Sequence, residues 1–481
     1  MHLIAIGGSD AGISAALRAR ELDPRTDVTV VVADAYPNFS ICGIPYYVSG
    51  EVTHWRNLAH RTYADLEATG MQLRVDTLAT HINVDARTLV VNAPDGQEEE
   101  LRYDALVIGT GAVPVRPPIA GLSELGPDDG VHLLHSMDDT FALTETLDRP
   151  GIERAVIVGA GYIGLEMAEG LTTRGLQVTQ IEQLPDVLPT VDPELGALVH
   201  AELERHGVTV ACGTRVNAIE RAASNGEGPL VVHATDPGGA ELTYPADVVL
   251  VVVGVRPDTE LAASAGAELG FKDAIQVDRR MRTNLPNVYA AGDCAVTHHQ
   301  LLGTTYLPLG TTAHKQGRVA AENALGRERE FAGSLGTQVV KVFDLVIART
   351  GLRDHEAQAV GFLPLTVASQ ADDHKAYYPG SHPIQMRYTA DQQDGRLLGL
   401  QLVGRLGSEI AKRVDIAATA IHNVMTIAEI SDVDLSYTPP LGSPWDTVQM
   451  GAQAWEKAAR DIPSVGITRH EPLAAQPSPQ G

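Results

Sequence analysis

Residues Arg154 to Gly175 read RAVIVGAGYIGLEMAEGLTTRG, and this stretch decides the fold class. An apolar run of strand length enters a turn in which Gly159, Gly161 and Gly164 satisfy GxGxxG, and apolar residues at helical spacing follow. A second strand, QVTQIE, comes next and ends on Glu182. In such a unit the first glycine makes the tight turn and the second lets the backbone approach a pyrophosphate. The third lets helix and strand pack closely, which leaves the phosphates on the helix N-terminus. Glu182 stands where an acid accepts hydrogen bonds from a ribose 2′-hydroxyl and repels a 2′-phosphate. Its neighbours Gln183 and Leu184 bring no cation, so NADH is expected in preference to NADPH. Tyr162, Ile163 and Gly254 join the three glycines and Glu182 as candidate NADH contacts, with Glu166 shaping the nicotinamide pocket rather than acting as an acid or base.

A unit of the same kind opens the chain. HLIAIGGSDAGISAALRAREL, His2 to Leu22, is followed by the strand DVTVVVAD ending at Asp34, the candidate ribose acid. Gly7, Gly8 and Gly12 supply the turn; Ser9 stands where the strict pattern has glycine, and Asp10 and Ala11 complete it. Downstream, YDALVIGTGAVP turns through Gly109, Thr110 and Gly111 after another apolar strand. TNLPNVYAAGDCA then places Gly292 and Asp293 at a strand end, where a carboxylate suits a ribityl hydroxyl. LPLGTTAHKQGRVAAENALG, which contains Ala313, reads as a helix whose positive end would face a flavin pyrimidine. The two units are an internal duplication of a nucleotide-binding fold, so the chain is expected to be α/β with two Rossmann-like domains, one for FAD and one for NADH. A third zone, from about 328 to 433, alternates the β-rich runs QVVKVF, LVIART and LLGLQLVG with turn signals. It closes on one helix, EIAKRVDIAATAIHN, and reads as a mixed α/β cap or dimerisation domain.

Bulk properties narrow the function. A chain of 481 residues is too long for one core and suggests about three domains. A net charge of −25 opposes nucleic acid or an anionic membrane surface as a partner, because both demand a basic face. Three cysteines rule out a disulfide framework and fit a reducing cytosol. The opening MHLIAIGG reads directly as a strand with no export signal, and no apolar run approaches the ~18 residues of a spanning helix. A cytoplasmic location is therefore expected.

Cys42, in NFSICGIPYYVSG, has Pro45 and Tyr47 where a CxxC or CxxxxC redox pair would place its second cysteine. A free cysteine is most often a buried structural residue. Just beyond a dinucleotide unit, the alternative is flavin-linked redox chemistry that cycles one sulfur. Such a sulfur must stay ionised, which a helix N-terminus promotes, and Gly43 and Pro45 fit a first helical turn. Cys212 and Cys294 read as structural; His298 and His299 have no cysteine or acid at ligand spacing, so no metal is expected.

At this point the chain resembles the FAD-dependent pyridine nucleotide–disulfide oxidoreductases over roughly residues 1–450, specifically their single-cysteine branch. GTQVVKVFDLVIARTGL resembles the start of that family's dimerisation domain, while CGIPYY, AYYPGS (Ala376 to Ser381) and DLSYTPPLGSPWD (Asp434 to Asp446) resemble motifs of its coenzyme A–disulfide reductases. The resemblance implies a first FAD segment at 1–119, an NAD(P)H domain at 120–255, a second FAD segment at 256–328 and a dimerisation domain at 329–469, while the Pro- and Gln-rich composition of 470–481 predicts a disordered tail. It implies hydride passage from NADH to the flavin, with Cys42 on the opposite face held as a mixed disulfide or sulfenic acid when oxidised. It also implies a homodimer in which Tyr437 and one of Tyr377 or Tyr378 reach the partner's cysteine site, with Ser14, Arg18 and Asn38 near the substrate. Asp10 stands where NADH peroxidases carry a histidine; Glu21 replaces an expected arginine, and Ile41 immediately precedes the cysteine. The expected substrate is thus a small-molecule disulfide or persulfide, with coenzyme A or another thiol as the carrier. Dioxygen reduction and an NADH-binding redox sensor remain the alternatives.

Overall fold

The computed structural model describes residues 1–222 and 228–461; the tail expected at 470–481 lies outside them. The strand His2–Ile6 is almost wholly apolar and buried on both faces, which is the signature of a central strand in a parallel sheet. It pairs in parallel with Asp27–Val31 on one side and Ala105–Ile108 on the other, and Gln72–Arg74 and Val288–Ala290 complete five strands. The helices Asp10–Leu22 and Gly310–Ala324 pack against each other through small residues. A methyl group on Gly317 would lie 2.3 Å from the Ala11 carbonyl oxygen, so the crossing demands glycine there.

The second sheet repeats this plan. Arg154–Val158 is central, flanked in parallel by Gln177–Ile181 and Val248–Val251, with Thr209–Ala211 and Val131–Leu133 at the edges. Each sheet has an attendant three-stranded antiparallel sheet, residues 78–102 for the first and 215–246 for the second. In each unit the expected ribose acid lies just past the end of its strand, Asp34 three residues after Val31 and Glu182 immediately after Ile181.

The C-terminal zone is a five-stranded antiparallel sheet in the order Gln338–Val342, Leu345–Gly351, Leu397–Arg405, Pro383–Asp391, Pro364–Asp372. One closing helix was expected from the sequence, and it spans Ile410–His422. The structure adds Ile427–Ser431 and Thr447–Asp461. The last is a strongly amphipathic helix hidden from a motif reading because four of its six buried positions, Thr447, Gln449, Gly451 and Ala452, are small or polar. It packs on the sheet through Trp455, whose indole N–H donates to the Leu365 carbonyl at 2.8 Å. Tyr388 donates to the Val448 carbonyl at 2.6 Å. Among the described residues no helix is long and apolar enough to cross a membrane.

Trp455 is 5 % exposed and ties this helix to the sheet edge. Trp455→Ala should therefore cost ~3–5 kcal/mol of unfolding free energy, read as a lower urea midpoint. An unchanged midpoint would show that the helix does not belong to the core.

Candidate functional site

The first glycine turn is built so that no side chain fills it. Gly7 has φ +108°, and a methyl group there would meet the Gly109 carbonyl oxygen at 2.0 Å; one on Gly12 would meet the Gly7 carbonyl oxygen at 2.1 Å. Gly292 brings the first turns of both helices together, since a methyl group on it would lie 2.9 Å from Ala11 Cβ and 3.3 Å from Ala313 Cβ. The residues framing this cradle are short of partners. The Asn38 side-chain oxygen and the Tyr306 hydroxyl are buried without a hydrogen-bond partner among the described residues. Burial, then the nearby Asp10 charge, pushes the Asp293 carboxyl up to about 7, where it can donate as well as accept. Asp34 accepts from the Tyr36 amide at 2.8 Å, and the Thr110 hydroxyl donates to the Asp258 carbonyl at 2.6 Å. Glycines that admit a backbone-hugging diphosphate, with unsatisfied polar groups around them, fit an FAD. Ser9 caps no amide of the helix it precedes, and Gly8 packs on Val32.

Cys42 lies in the short turn Ile41–Gly43, which leads into the helix Ile44–Val48. It is exposed, whereas Cys212 is half-buried and Cys294 buried. Although the side chain reaches solvent, enough protein surrounds the sulfur that burial pushes the thiol pKa up and disfavours its ionisation, and Glu166, Asp10 and Asp293 push it up further. This corrects the expectation of a helix-promoted thiolate. A five-residue helix offers little dipole, and three carboxylates oppose it.

Glu166 belongs to the second unit but meets the first here. The Tyr46 hydroxyl donates to its Oε1 at 3.2 Å, and burial pushes the Glu166 carboxyl up to about 7. Gly170, one turn along the same helix, allows the approach: a methyl group there would lie 3.3 Å from the Pro45 carbonyl oxygen. Lys341 of the C-terminal sheet pairs with Glu169 and sits 5.7 Å over the Tyr46 ring, so all three zones meet beside the Cys42 segment.

A second cluster flanks Asp10 on the other side. His314 Nε2 lies 3.3 Å from Asp10 Oδ1, and His314 Nδ1 lies 2.7 Å from the Ser14 hydroxyl. The His60 ring stands 6.4 Å from that of His314. Burial raises the Asp10 carboxyl, and the two histidines pull it back. His314, His60 and Tyr46 were missed by sequence reasoning; a histidine near the start of the Gly310–Ala324 helix was the available signal.

In the second glycine turn, Gly159 has φ +108°, and a methyl group on Gly164 would meet the Gly159 carbonyl oxygen at 2.2 Å. Glu182 is buried and accepts from the Ala160 amide at 2.7 Å and the Leu184 amide at 2.9 Å, which aims the carboxylate across the turn. Gly161 caps the helix that begins at Tyr162, Ile163 lies in its first turn, and the Tyr162 hydroxyl accepts from Thr190 at 3.1 Å. Gly254, with φ +111°, follows the Val248–Val251 strand as Gly111 follows Ala105–Ile108.

The remaining candidates are placed differently from one another. Asn38 is buried beside the first turn, its amide donating to the Gly8 carbonyl at 2.6 Å. Arg18 is held by Glu322 and Glu21, each at 2.7 Å, and Glu21 also meets Arg318 at 3.4 Å. Tyr377, Tyr378 and Tyr437 are exposed on adjoining segments of the C-terminal zone, and the Tyr377 and Tyr437 hydroxyls interact. Thr110 and Gly111, Ala313, Asp34 and Gly292 all border the first cradle or the strand ends that form it.

Residues 1–317 match the pyridine nucleotide-disulphide oxidoreductase family, and residues 337–448 match its dimerisation domain. An NAD(P)H sulfur oxidoreductase (CoA-dependent) of Pyrococcus furiosus is 36% identical over 92% of this chain and 96% of its own. An NADH oxidase of Methanocaldococcus jannaschii is 33% identical over 94% and 98%. The solved structure of an NAD-dependent persulfide reductase from A. fulgidus superposes with a TM-score of 0.88 at 37% identity, over 96% of this chain and 84% of that one.

Glu166 is a source of the field on Cys42, so Glu166→Gln should move the pH profile of Cys42 alkylation to lower pH in the holoprotein. In the parent protein, with Glu166 titrating at about 7, the thiol should be easier to ionise below that pH than its behaviour above it implies. An identical profile in both proteins would mean that the two groups are not coupled.

Proposed function

The chain belongs to the pyridine nucleotide-disulphide oxidoreductase family, and from that premise we propose that it is an FAD-dependent NADH:disulfide or persulfide reductase working through Cys42. The first Rossmann unit is assigned to FAD and the second to NADH. The observation that carries the reading is the placement of Cys42. It is the exposed cysteine, and it stands in the field of Glu166 from the second unit and of Asp10 and Asp293 from the first.

Reduction of a disulfide by NADH consumes one proton and yields two thiols and NAD⁺. A bound FAD supplies the two-electron relay between nicotinamide and sulfur. Ionised Cys42 attacks one sulfur of the substrate, the sulfur–sulfur bond breaks, and the departing thiolate takes a proton. An electron pair from NADH then cleaves the mixed disulfide, which frees the second thiol and restores Cys42. The chain's own charges disfavour the free thiolate, which keeps resting Cys42 protonated or capped rather than open to oxidation. His314, hydrogen-bonded to Ser14 and 3.3 Å from the Asp10 carboxylate, is the candidate proton donor to the departing thiolate. Glu182 favours NADH, since a 2′-phosphate would meet its carboxylate.

A low-molecular-weight thiol is the proposed carrier, with coenzyme A supported by the name of the Pyrococcus furiosus relative. Arg18 is already engaged by two carboxylates, so a phosphorylated carrier would have to compete with Glu322 and Glu21. A homodimer is proposed from the dimerisation-domain match, and the exposed Tyr377–Tyr437 pair suits a partner's Cys42 site. Dioxygen reduction is the second reading, favoured by the Methanocaldococcus jannaschii relative.

Anaerobic NADH consumption separates the two readings. Disulfide-dependent turnover should persist without oxygen, and Cys42→Ser should lower it by at least ~10³-fold while sparing reduction of an artificial dye acceptor. Turnover that requires oxygen and ignores disulfides and persulfides would overturn the reductase reading.

A further inference from the structure

We infer that Asp186, His200 and Cys212 form a binding site for one tetrahedral transition-metal ion of the zinc type, with one coordination position open. The three residues fall within 27 consecutive positions, 186–212, but come from three segments of the second Rossmann unit. Asp186 is in the loop after Gln177–Ile181, His200 is in the helix Pro193–Arg205, and Cys212 follows the strand Thr209–Ala211. Their ligand atoms all lie within 4.8 Å of one another. His200 Nδ1 is 3.3 Å from Asp186 Oδ1 and 3.9 Å from Cys212 Sγ. With Zn–N and Zn–O bonds of about 2.0 Å and Zn–S of about 2.3 Å, a tetrahedral angle places such atoms roughly 3.3–3.6 Å apart. The nitrogen–oxygen pair already has this spacing, and the nitrogen–sulfur pair needs a few tenths of an ångström of closure.

The surroundings fit a ligand set rather than a chance meeting. Glu204, one turn beyond His200, reaches His200 Nε2 at 3.7 Å. His200 Nδ1 is hydrogen-bonded to Asp186 at 3.3 Å; with an ion on Nδ1, the proton would sit on Nε2, where a small approach of Glu204 would give the outer-shell carboxylate of zinc-bound histidines. Gly196, one turn before His200, lets the loop approach: a methyl group on it would lie 2.9 Å from the Val187 carbonyl oxygen and 3.7 Å from the Asp186 carboxyl. Backbone hydrogen bonds already join loop to turn, Thr214 N–H to the Glu182 carbonyl at 2.9 Å and Gly213 N–H to the Leu184 carbonyl at 2.8 Å. The backbone thus fixes two ligand segments, and the ion would tie the helix to both. A carboxylate and a thiolate balance a divalent charge, and a sulfur–nitrogen–oxygen set selects zinc or cobalt over magnesium or calcium. The comparable group Glu202, His206 and Asp344 is different, because Arg205 and Arg405 already neutralise Glu202. The loop clamped by the ion begins at Glu182, so the site adjoins the nucleotide turn.

The test uses the FAD-loaded full chain with Cys42→Ser, which leaves Cys212 and the buried Cys294 as the thiols. Titration with Co²⁺ should produce a thiolate-to-cobalt charge-transfer band saturating at one equivalent. Cys212→Ser should abolish that band, and His200→Gln should weaken binding at least ten-fold. Should either variant fail to fold, Zn²⁺ should still slow alkylation of Cys212 at least ten-fold in the parent, read by peptide mass. A band that survives Cys212→Ser, a metal lost on Glu202→Gln instead, or alkylation indifferent to Zn²⁺ would overturn the assignment.

Discussion

A methyl group on Gly7 would lie 2.0 Å from the Gly109 carbonyl oxygen, and one on Gly12 would lie 2.1 Å from that of Gly7. This backbone-on-backbone contact is the constraint on which the rest depends. It seats the Asp10–Leu22 helix directly on its sheet, so the amides of its first turn face the cradle rather than a side chain. The same close approach places Ala11 against Gly292 and thereby draws the Gly310–Ala324 helix to the same point. Asp10, His314 and Asp293 then have nowhere to go except the border of the cradle, where Cys42 also lies. The second unit repeats the contact at Gly159 and Gly164.

Convergence of acids at one thiol has an electrostatic cost that shapes the chemistry. Asp293 and Glu166 are each pushed up to about 7, and the first cause in both is burial. Below that pH they are largely neutral and weigh little on Cys42; above it they charge and oppose its thiolate. Because both folded values exceed the ordinary carboxylate range, their ionisation subtracts stability as pH rises from about 4 through about 7. Burial raises Asp10 too, but His314 and His60 oppose the shift.

The two nucleotide units were legible in the sequence because their chemistry is local. Gly159, Gly161, Gly164 and Glu182 lie in one short strand–turn–helix–strand segment, and spacing alone identifies them. The partners of Cys42 were not legible, because no spacing rule links residue 42 to residue 166 or residue 10 to residue 314. Those contacts exist only after two sheets and two helices have packed. Asp186, His200 and Cys212 were hidden for the same reason, since each sits on a different element of the second unit. Tyr46 was visible but mute: its hydroxyl acquires meaning only when Gly170 lets the two helices approach. The thiolate expectation at Cys42 failed because helix length and neighbouring charge are tertiary facts, whereas Pro45 is a local one.

The central claim is that Cys42 is the sulfur that exchanges electrons with NADH. Intact and peptide mass measured without reductant, before and after one anaerobic equivalent of NADH, tests it most directly. The account predicts a thiol or sulfur adduct on the Cys42 peptide that NADH removes. An unmodified Cys42 beside an adduct on Cys212 or Cys294, or an adduct on Cys42 that NADH leaves in place, would contradict it.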